Sequence, residues 1–499
     1  MSVLYKKDLS KEIGLKHPSE VMKFDEKEII SKEEKQIIRE KLEERKKKKK
    51  FKIVKGIEKD DENEDDKVVK IVPYWYKYNK EGELTGVNTG LFRGFLAEHM
   101  ESIACDNVFY FYQDGYYQKK EMHEVMSEVQ KLLNDKVVTF NKNLDIYKQW
   151  AIDYRVMKQP EQINNNPYLI NLKNGIYNLK TGVLEEHRKE QFMTIRINAN
   201  YNATIRNNKK NGENFLNYLE TSIPDKKVQK YVQKMMGYCL TSFTQTQKFF
   251  VLNGGTDTGK SVIINLTQML INKENVSNKK WQELKNFGLY ELHNKILNAA
   301  GDLPRTPITE DDTIKELTGE DWISAQRKFL GDIRFKNRAK FLFSTNGMPK
   351  NYGDKSEAFF NRLVIIPFNE KIKKKDPHLT KKLEKELDFI FMWALEGLQE
   401  LIKDDFDFGK CDKIDEEVEK YKRESSTVIQ FIEDICEFNP KKQISKIMLF
   451  QEYQKYCSDT LGVKSMGRTG FYRELEEKFE IEIGREGNIN TFKGITFSK

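Results

Sequence analysis

Cysteine is scarce and long apolar runs are absent from this 499-residue sequence, and each lack closes off a class of protein. The five cysteines, Cys105, Cys239, Cys411, Cys436 and Cys457, are scattered, with no CxxC spacing and no paired histidines. That argues against a disulfide framework and a zinc site and leaves reduced, partly buried thiols as the expectation. No stretch reaches the roughly 18 apolar residues of a membrane-spanning helix. The N-terminus, MSVLYKKDLSKEIGLK, lacks the apolar core and small-residue cleavage site of a secretory signal, so a cytoplasmic protein with no membrane partner is expected. Neither sign of charge dominates: 86 Lys and Arg stand against 78 Asp and Glu, a net +8. That balance is compatible with a nucleic-acid partner and does not establish one.

What is present divides by texture. The expected organisation is a charged arm (1–72), an α+β domain (73–212), a helical lead-in and α/β domain (213–410), a polar connector (411–427) and a winged helix (428–499). The arm sets the basic block Arg45 to Lys50 before the acidic block Asp60 to Asp66. It is either a solvated segment or one whose lysines touch phosphates. From Pro73 aromatic alternation begins, with a turn at Asp114-Gly115; Trp75, Tyr110 and Tyr112 either stack on bases or fill a core. NPYLINLKNGIYNLKTG reads as short strands around Asn174-Gly175, and VQKYVQKMMGYCLTSF as a helix leading into an apolar strand. In the tail, three helices followed by two short strands suggest a winged helix.

The chemistry concentrates in KFFVLNGGTDTGKSVIINLTQML, a strand, a glycine-containing loop and an amphipathic helix. It fits GxxxxGKS over Gly254, Gly255, Thr256, Asp257, Thr258, Gly259, Lys260 and Ser261. Gly254 and Gly259 let backbone N–H groups turn inward around phosphates at a helix N-terminus. Lys260 reaches the β- and γ-phosphates, and Ser261 offers its hydroxyl to Mg²⁺, so ATP and Mg²⁺ are the expected ligands. KILNAAGDLP ends a buried strand at Asp302, placed to hold the metal or to polarise water. AKFLFSTNGMP ends at Asn346, whose amide suits a γ-phosphate or a water. Arg362 precedes the strand LVIIPF, where it could act on a neighbouring subunit's nucleotide. Between these strands, TGEDWISAQRKFLGDIRFK suggests a hairpin turning at Leu330-Gly331-Asp332. Arg327 and Lys328 near its tip either grip a nucleic-acid backbone or are solvated loop charges.

The order of phosphate loop, Asp302, TGEDWISAQRKF, STN and FFNR before IIPF resembles the superfamily 3 helicases of phages, plasmids and poxvirus-type primase-helicases. NPYLINLKNGIYNLKTG with His187, the junction MMGYCLTSF and the tail from Val428 extend the resemblance across roughly residues 74–499. It implies an α/β protein with a P-loop AAA+ core, acting as an ATP-driven homo-hexameric ring on DNA during replication of a mobile element in a bacterial host. It gives Gly254, Gly259, Lys260 and Ser261 the phosphate and Mg²⁺ roles and Asp302 the acidic role. Asn346 becomes the sensor, Arg362 the arginine finger, and Arg327 with Lys328 the channel hairpin that holds a single strand. Three features depart from the pattern. Asp302 stands where Glu is frequent, Asn361 where a second Arg is common, and a charged arm where many relatives carry a primase, so no primer synthesis is expected.

In the tail, Arg468 and Arg473 on the expected recognition helix and Lys493 in the wing are candidate contacts to duplex DNA, such as an origin, while Glu474, Glu476 and Glu477 dilute that face. Two rivals share the nucleotide residues. One is an ATPase that remodels protein or loads another helicase beside other replication proteins. The other is an origin-binding initiator in which ATP controls assembly.

Overall fold

The computed structural model describes residues 52–53, 71–306, 308, 312–327, 330–352, 356–479 and 481–498. The charged arm (1–72) therefore lies almost wholly outside the described residues, as does Lys328. The chain forms two compact units, Met1–Asn165 with Arg188–Thr194, and Asn166–His187 with Ile195–Lys499.

In the first unit the aromatic alternation makes a core. The antiparallel strands Ser102–Cys105, Val108–Gln113 and Tyr116–Lys120 are joined by two-residue turns, Asp106-Asn107 and Asp114-Gly115, all four residues at positive φ. That backbone matches the twist of a hairpin, and Asn, Asp and Gly are the residues that tolerate it. Helices Thr89–His99 and Phe140–Ala151 bring Phe92, Phe95 and Trp150 into one cluster with Trp75 and Phe109. Of the aromatics that might have stacked on bases, Trp75 and Tyr110 are buried and Tyr112 half-buried.

The expected 73–212 domain divides. Its three-stranded sheet, Leu169–Leu172, Gly175–Asn178 and Val183–Glu185, belongs to the second unit, where Ile170, Leu172 and Tyr177 join the main core. Tyr177 also accepts a hydrogen bond from Gln399 at 2.8 Å. Strand alternation alone does not say which neighbour a short sheet packs on.

The second unit is built on helices α1 (Glu213–Ser222) and α2 (Lys226–Cys239) and a five-stranded sheet. Its strands are β1 (Phe249–Asn253), β2 (Val276–Ser277), β3 (Leu297–Ala300), β6 (Lys340–Thr345) and β7 (Leu363–Pro367), all parallel, in the order β2-β3-β6-β1-β7. Between β3 and β6 rises an antiparallel hairpin, β4 (Trp322–Arg327) and β5 (Leu330–Lys336). Side chains alternate across a strand with period two, and here the alternation assigns the two cores. Phe250, Leu252, Leu342, Val364 and Ile366 enter one cluster, and Phe249, Val251, Phe341, Phe343, Leu363 and Ile365 the other. Both faces are thus covered, which is why these strands read as continuous apolar runs. Helix α3 (Lys260–Leu270) follows β1; α4 (Glu357–Arg362) precedes β7; and α5 (Leu387–Lys403) packs on α2 so closely that Gly237 meets the backbone of Ala394 and Leu398, and Gly397 that of Gln233 and Lys234. The polar stretch 411–427 contains a helix, α6 (Asp412–Glu424), with Ile414 and Tyr421 buried in the two cores, so the expected connector is packed onto the five-stranded sheet's cores.

The tail runs α7 (Thr427–Ile435), β8 (Cys436–Ser445), α8 (Lys446–Lys455), α9 (Arg468–Phe479), β9 (Ile483–Glu486) and β10 (Ile489–Phe497), with sheet order β8-β10-β9. Strand β8 is an addition to the expected three helices and two strands. Its pairing with β10 shifts register between Phe438 and Gln443, and Pro440, which has no N–H to give a ladder, falls in that interruption. All five cysteines are buried, and none of them is in a disulfide. Among the described residues, no helix is long and apolar enough to cross a membrane.

Candidate active site

The loop between β1 and α3 is shaped by what surrounds it. A Cβ at Gly254 would meet the Phe368 carbonyl oxygen at 2.0 Å, and Gly259 holds φ +95° against Tyr218 and Ser222. Neither position has room or backbone freedom for another residue. Tyr218, buried on α1, donates its hydroxyl to the Gly259 carbonyl at 2.8 Å. That helix is in turn capped from afar: Glu386 accepts from the backbone N–H groups of Asn214 (3.0 Å) and Phe215 (2.8 Å). The segment after β7 crosses the loop, with Phe368 N–H on Asn253 O at 2.7 Å and Ile372 N–H on Asp257 O at 2.9 Å. Lys375 from this strap pairs with Asp257 at 2.7 Å, and that hydrogen bond is the chief reason the Asp257 carboxyl titrates below its ordinary range.

Lys260 is the centre of the site. Its ammonium donates to Gly254 O (2.6 Å), Gly255 O (2.5 Å), Thr258 Oγ1 (3.3 Å) and Asn346 Oδ1 (3.1 Å). Burial pushes its pKa down, while the charges of Asp302 and Asp257 oppose the shift. Asn346 reaches Lys260 because β6 lies beside β1, with Asn253 opposite Thr345. Asp302 follows β3 on the other side of β6, at φ +52°, and its neighbour Leu303 is tied by its N–H to Ser344 O at 3.0 Å. The strand order therefore gathers Lys260, Asn346 and Asp302 along one edge of the sheet, where the chain leaves the C-terminal ends of the strands.

None of the amides from Gly255 to Ser261 donates a hydrogen bond within the chain among the described residues. These amides, a helix N-terminus and a buried ammonium together suit a polyphosphate, and the hydroxyl of Ser261 with the exposed carboxylate of Asp302 suits a hard divalent cation.

Arg362 stands apart. Leu363 pairs with Phe249 and Pro367 with Asn253, so Arg362 lies at the opposite edge of the sheet, about 13 Å of strand from where the glycine loop leaves β1. It cannot serve its own loop. Its guanidinium donates to Ala358 O (2.9 Å) and Gln247 Oε1 (2.8 Å), and Nε is buried with no acceptor. Asn361, beside it, offers only its backbone carbonyl, to Lys248.

On the hairpin, Arg327 pairs with Leu330, and Leu330–Asp332 is strand. The reversal expected at Leu330-Gly331-Asp332 therefore occurs earlier, and Gly331 needs no positive φ. Arg327 turns its Nε onto Gly331 O at 2.9 Å, next to a register shift between Ala325 and Arg327. In the tail, Arg468, Arg473 and Lys493 are exposed, with Arg468 lying over the Phe450 ring. Two of the diluting glutamates are engaged inside the domain: Glu474 accepts from Ser426, and Glu476 pairs with Lys446 at 3.0 Å.

Three participants escaped the sequence. Tyr218 and Lys375 act on the loop from distant segments. Arg305, on the segment after Asp302, donates to the Asn346 carbonyl at 3.2 Å and packs on Gly347. A cation three residues past a strand-end acid was the signal for Arg305; for Tyr218 there was none.

Three family models match this chain: "D5 N terminal like" over residues 61–237, "Family of unknown function (DUF5906)" over 252–362, and "Poxvirus D5 protein-like" over 423–494. The middle one runs from β1 to Arg362 and so contains the loop, Asp302 and Asn346. A protein of Acanthamoeba polyphaga mimivirus named as a helicase is 26% identical over 258 residues, a match that takes in 48% of this chain and 26% of that protein. Among solved structures, the A form of the apo C-terminal region of NrS-1 is similar at a TM-score of 0.44 and 12% identity, covering 81% of this chain and 98% of that one. Another apo structure of the same region gives 0.42 at 12% identity, with the same coverage.

Proposed function

We propose, for a chain that falls in the phage- and poxvirus-type superfamily 3 helicase family, an ATP-driven motor that translocates on DNA and unwinds it during replication of a mobile element. The observation that carries this reading is the convergence of Lys260, Asn346 and Asp302 at one sheet edge while Arg362 lies at the other. In this reading the loop amides and Lys260 hold the phosphates of ATP, and Asn346 orients the γ-phosphate or the attacking water. Ser261 and Asp302 would hold Mg²⁺, which neutralises charge on the β- and γ-oxygens. Arg362 completes the site of the next subunit in a homo-hexameric ring of AAA+ type. Its charge in the transition state is the kind of contribution worth about 10³–10⁵ in rate. Arg327 and Lys328 face the DNA in the channel, and the tail acts as a winged helix with Arg468, Arg473 and Lys493 toward duplex.

The test is strand displacement on forked duplexes with 3′ or 5′ tails, with ATP and Mg²⁺. Unwinding of one tail polarity, lost in Lys260→Ala, is expected. ATP turnover that neither responds to DNA nor drives displacement would overturn the motor reading in favour of an ATP-controlled initiator or loader.

A further inference from the structure

The hairpin stem carries a face that the phosphate-gripping tip does not account for. Its inward residues Ile323, Ala325 and Phe335 are buried in the second core. Its outward residues are Trp322, Ser324 and Gln326 on β4 and Arg334 and Lys336 on β5, all exposed. Register sets Trp322 opposite Lys336 and Ser324 opposite Arg334. Trp322 is 55% exposed, although burying an indole is strongly favourable, and the Lys336 ammonium lies 5.7 Å from its ring centroid. The other four tryptophans, Trp75, Trp150, Trp281 and Trp393, are all at or below 6% exposure.

From this juxtaposition we propose that the stem is a stacking site for single-stranded nucleic acid, with one base on the Trp322 ring and adjoining phosphates on Lys336 and Arg334. It rests on the DNA-motor reading and adds the part of the substrate recognised. An exposed aromatic flanked by cations is the arrangement that binds single strands with little sequence preference, because every base has a π-face. Duplex is excluded from this mode, since its base faces are already stacked on each other. The two cations lie two residues apart on β5, about 7 Å along the strand, so they follow an extended backbone rather than one phosphate. Asp321 at the hairpin base and Asp332 near its tip bound the cationic stretch and confine the backbone to it.

Because Trp322 alone among the tryptophans is exposed, its fluorescence reports the site in the full chain. Titration with oligo-dT should quench tryptophan emission, and an abasic oligonucleotide of equal length should bind without quenching. Trp322→Ala should weaken oligo-dT binding about five- to a hundred-fold. Trp322→Phe, which keeps the ring and the fold, should retain affinity and lose the quenching. Arg334→Ala and Lys336→Ala should each lower the slope of log affinity against log salt by about 0.7. A labelled oligo-dT that binds by anisotropy without quenching, or with unchanged affinity for Trp322→Ala, overturns the stacking site and leaves the motor reading intact. No binding of the labelled strand at all counts against the motor reading itself.

Discussion

Lys340 opens β6 and is 3% exposed, with its ammonium donating to the carbonyls of Thr241 and, at 3.0 Å, Arg338. Burial pushes its pKa down to about 7 from 10.5. Between those values the unfolded chain carries the proton and the folded chain does not, so this residue makes stability rise with pH from about 7 to about 10.5. Lys340→Met removes that dependence. The stability of the parent relative to the variant should grow by up to about 1.4 kcal/mol per pH unit across the window, read from urea midpoints at successive pH values. A difference that does not change with pH would mean that Lys340 stays charged when folded. A second residue-scale effect concerns the loop. Tyr218→Phe removes one hydrogen bond, a change of about 1 kcal/mol, and should lower ATP turnover roughly five-fold with little loss of melting temperature. Unchanged turnover would show that Gly259 is held without it. Lys260, Asp302 and Asn346 were legible because each marks the end of an apolar strand or a glycine loop. Tyr218 was not, since it meets Gly259 across 41 residues and sits in no local pattern; Arg305 stands three residues past Asp302, but its partner Asn346 lies 41 residues away.

Elements were legible where one period governs them. The alternation of β1, β6 and β7 and the glycine at the start of α3 name a buried parallel sheet feeding a glycine loop, and the sheet order then brings Asn346 to Lys260. Legibility failed where a bulge broke the period. Strand β8 hides behind Pro440, and the hairpin reversal was misplaced because Gly331 reads as a turn while its backbone is strand. Packing partners were also unreadable: the short sheet of 169–185 and helix α6 carry their apolar residues into cores assembled from distant segments. At this scale α9 offers a test. Glu474 and Glu476 are engaged inside the tail; Arg473 remains exposed, as does Lys493, which pairs with Glu482 at 3.8 Å. If that face meets duplex backbone, Arg473→Ala and Lys493→Ala should each lower the slope of log affinity against log salt by about 0.9, measured on duplex without tails. Slopes equal to the parent's would assign the tail to protein docking instead.

At the scale of the assembly, the argument turns on the two edges of one sheet. Lys260 follows the loop that leaves the end of β1 and Arg362 lies where β7 begins, so in the proposed reading a single chain holds two half-sites at opposite ends of the sheet. Two such halves meet only if copies associate head to tail, and a head-to-tail interface closes into a ring when its rotation allows. Arg362 is poised for this. Its Nε is buried without an acceptor, and its other nitrogens are held by neutral oxygens of Ala358 and Gln247 rather than by a carboxylate that would cancel its charge. Arg362→Ala should therefore assemble and bind ATP normally but hydrolyse it about a thousand-fold or more slowly. Lys260→Ala should fail at phosphate binding while keeping its arginine. Mixed in equal amounts, the two inactive chains should regain turnover, because about a quarter of the interfaces in a random ring pair an intact loop with an intact arginine. Turnover in the mixture no greater than the sum of the separate variants would place Arg362 in a structural role and return the site to a single chain.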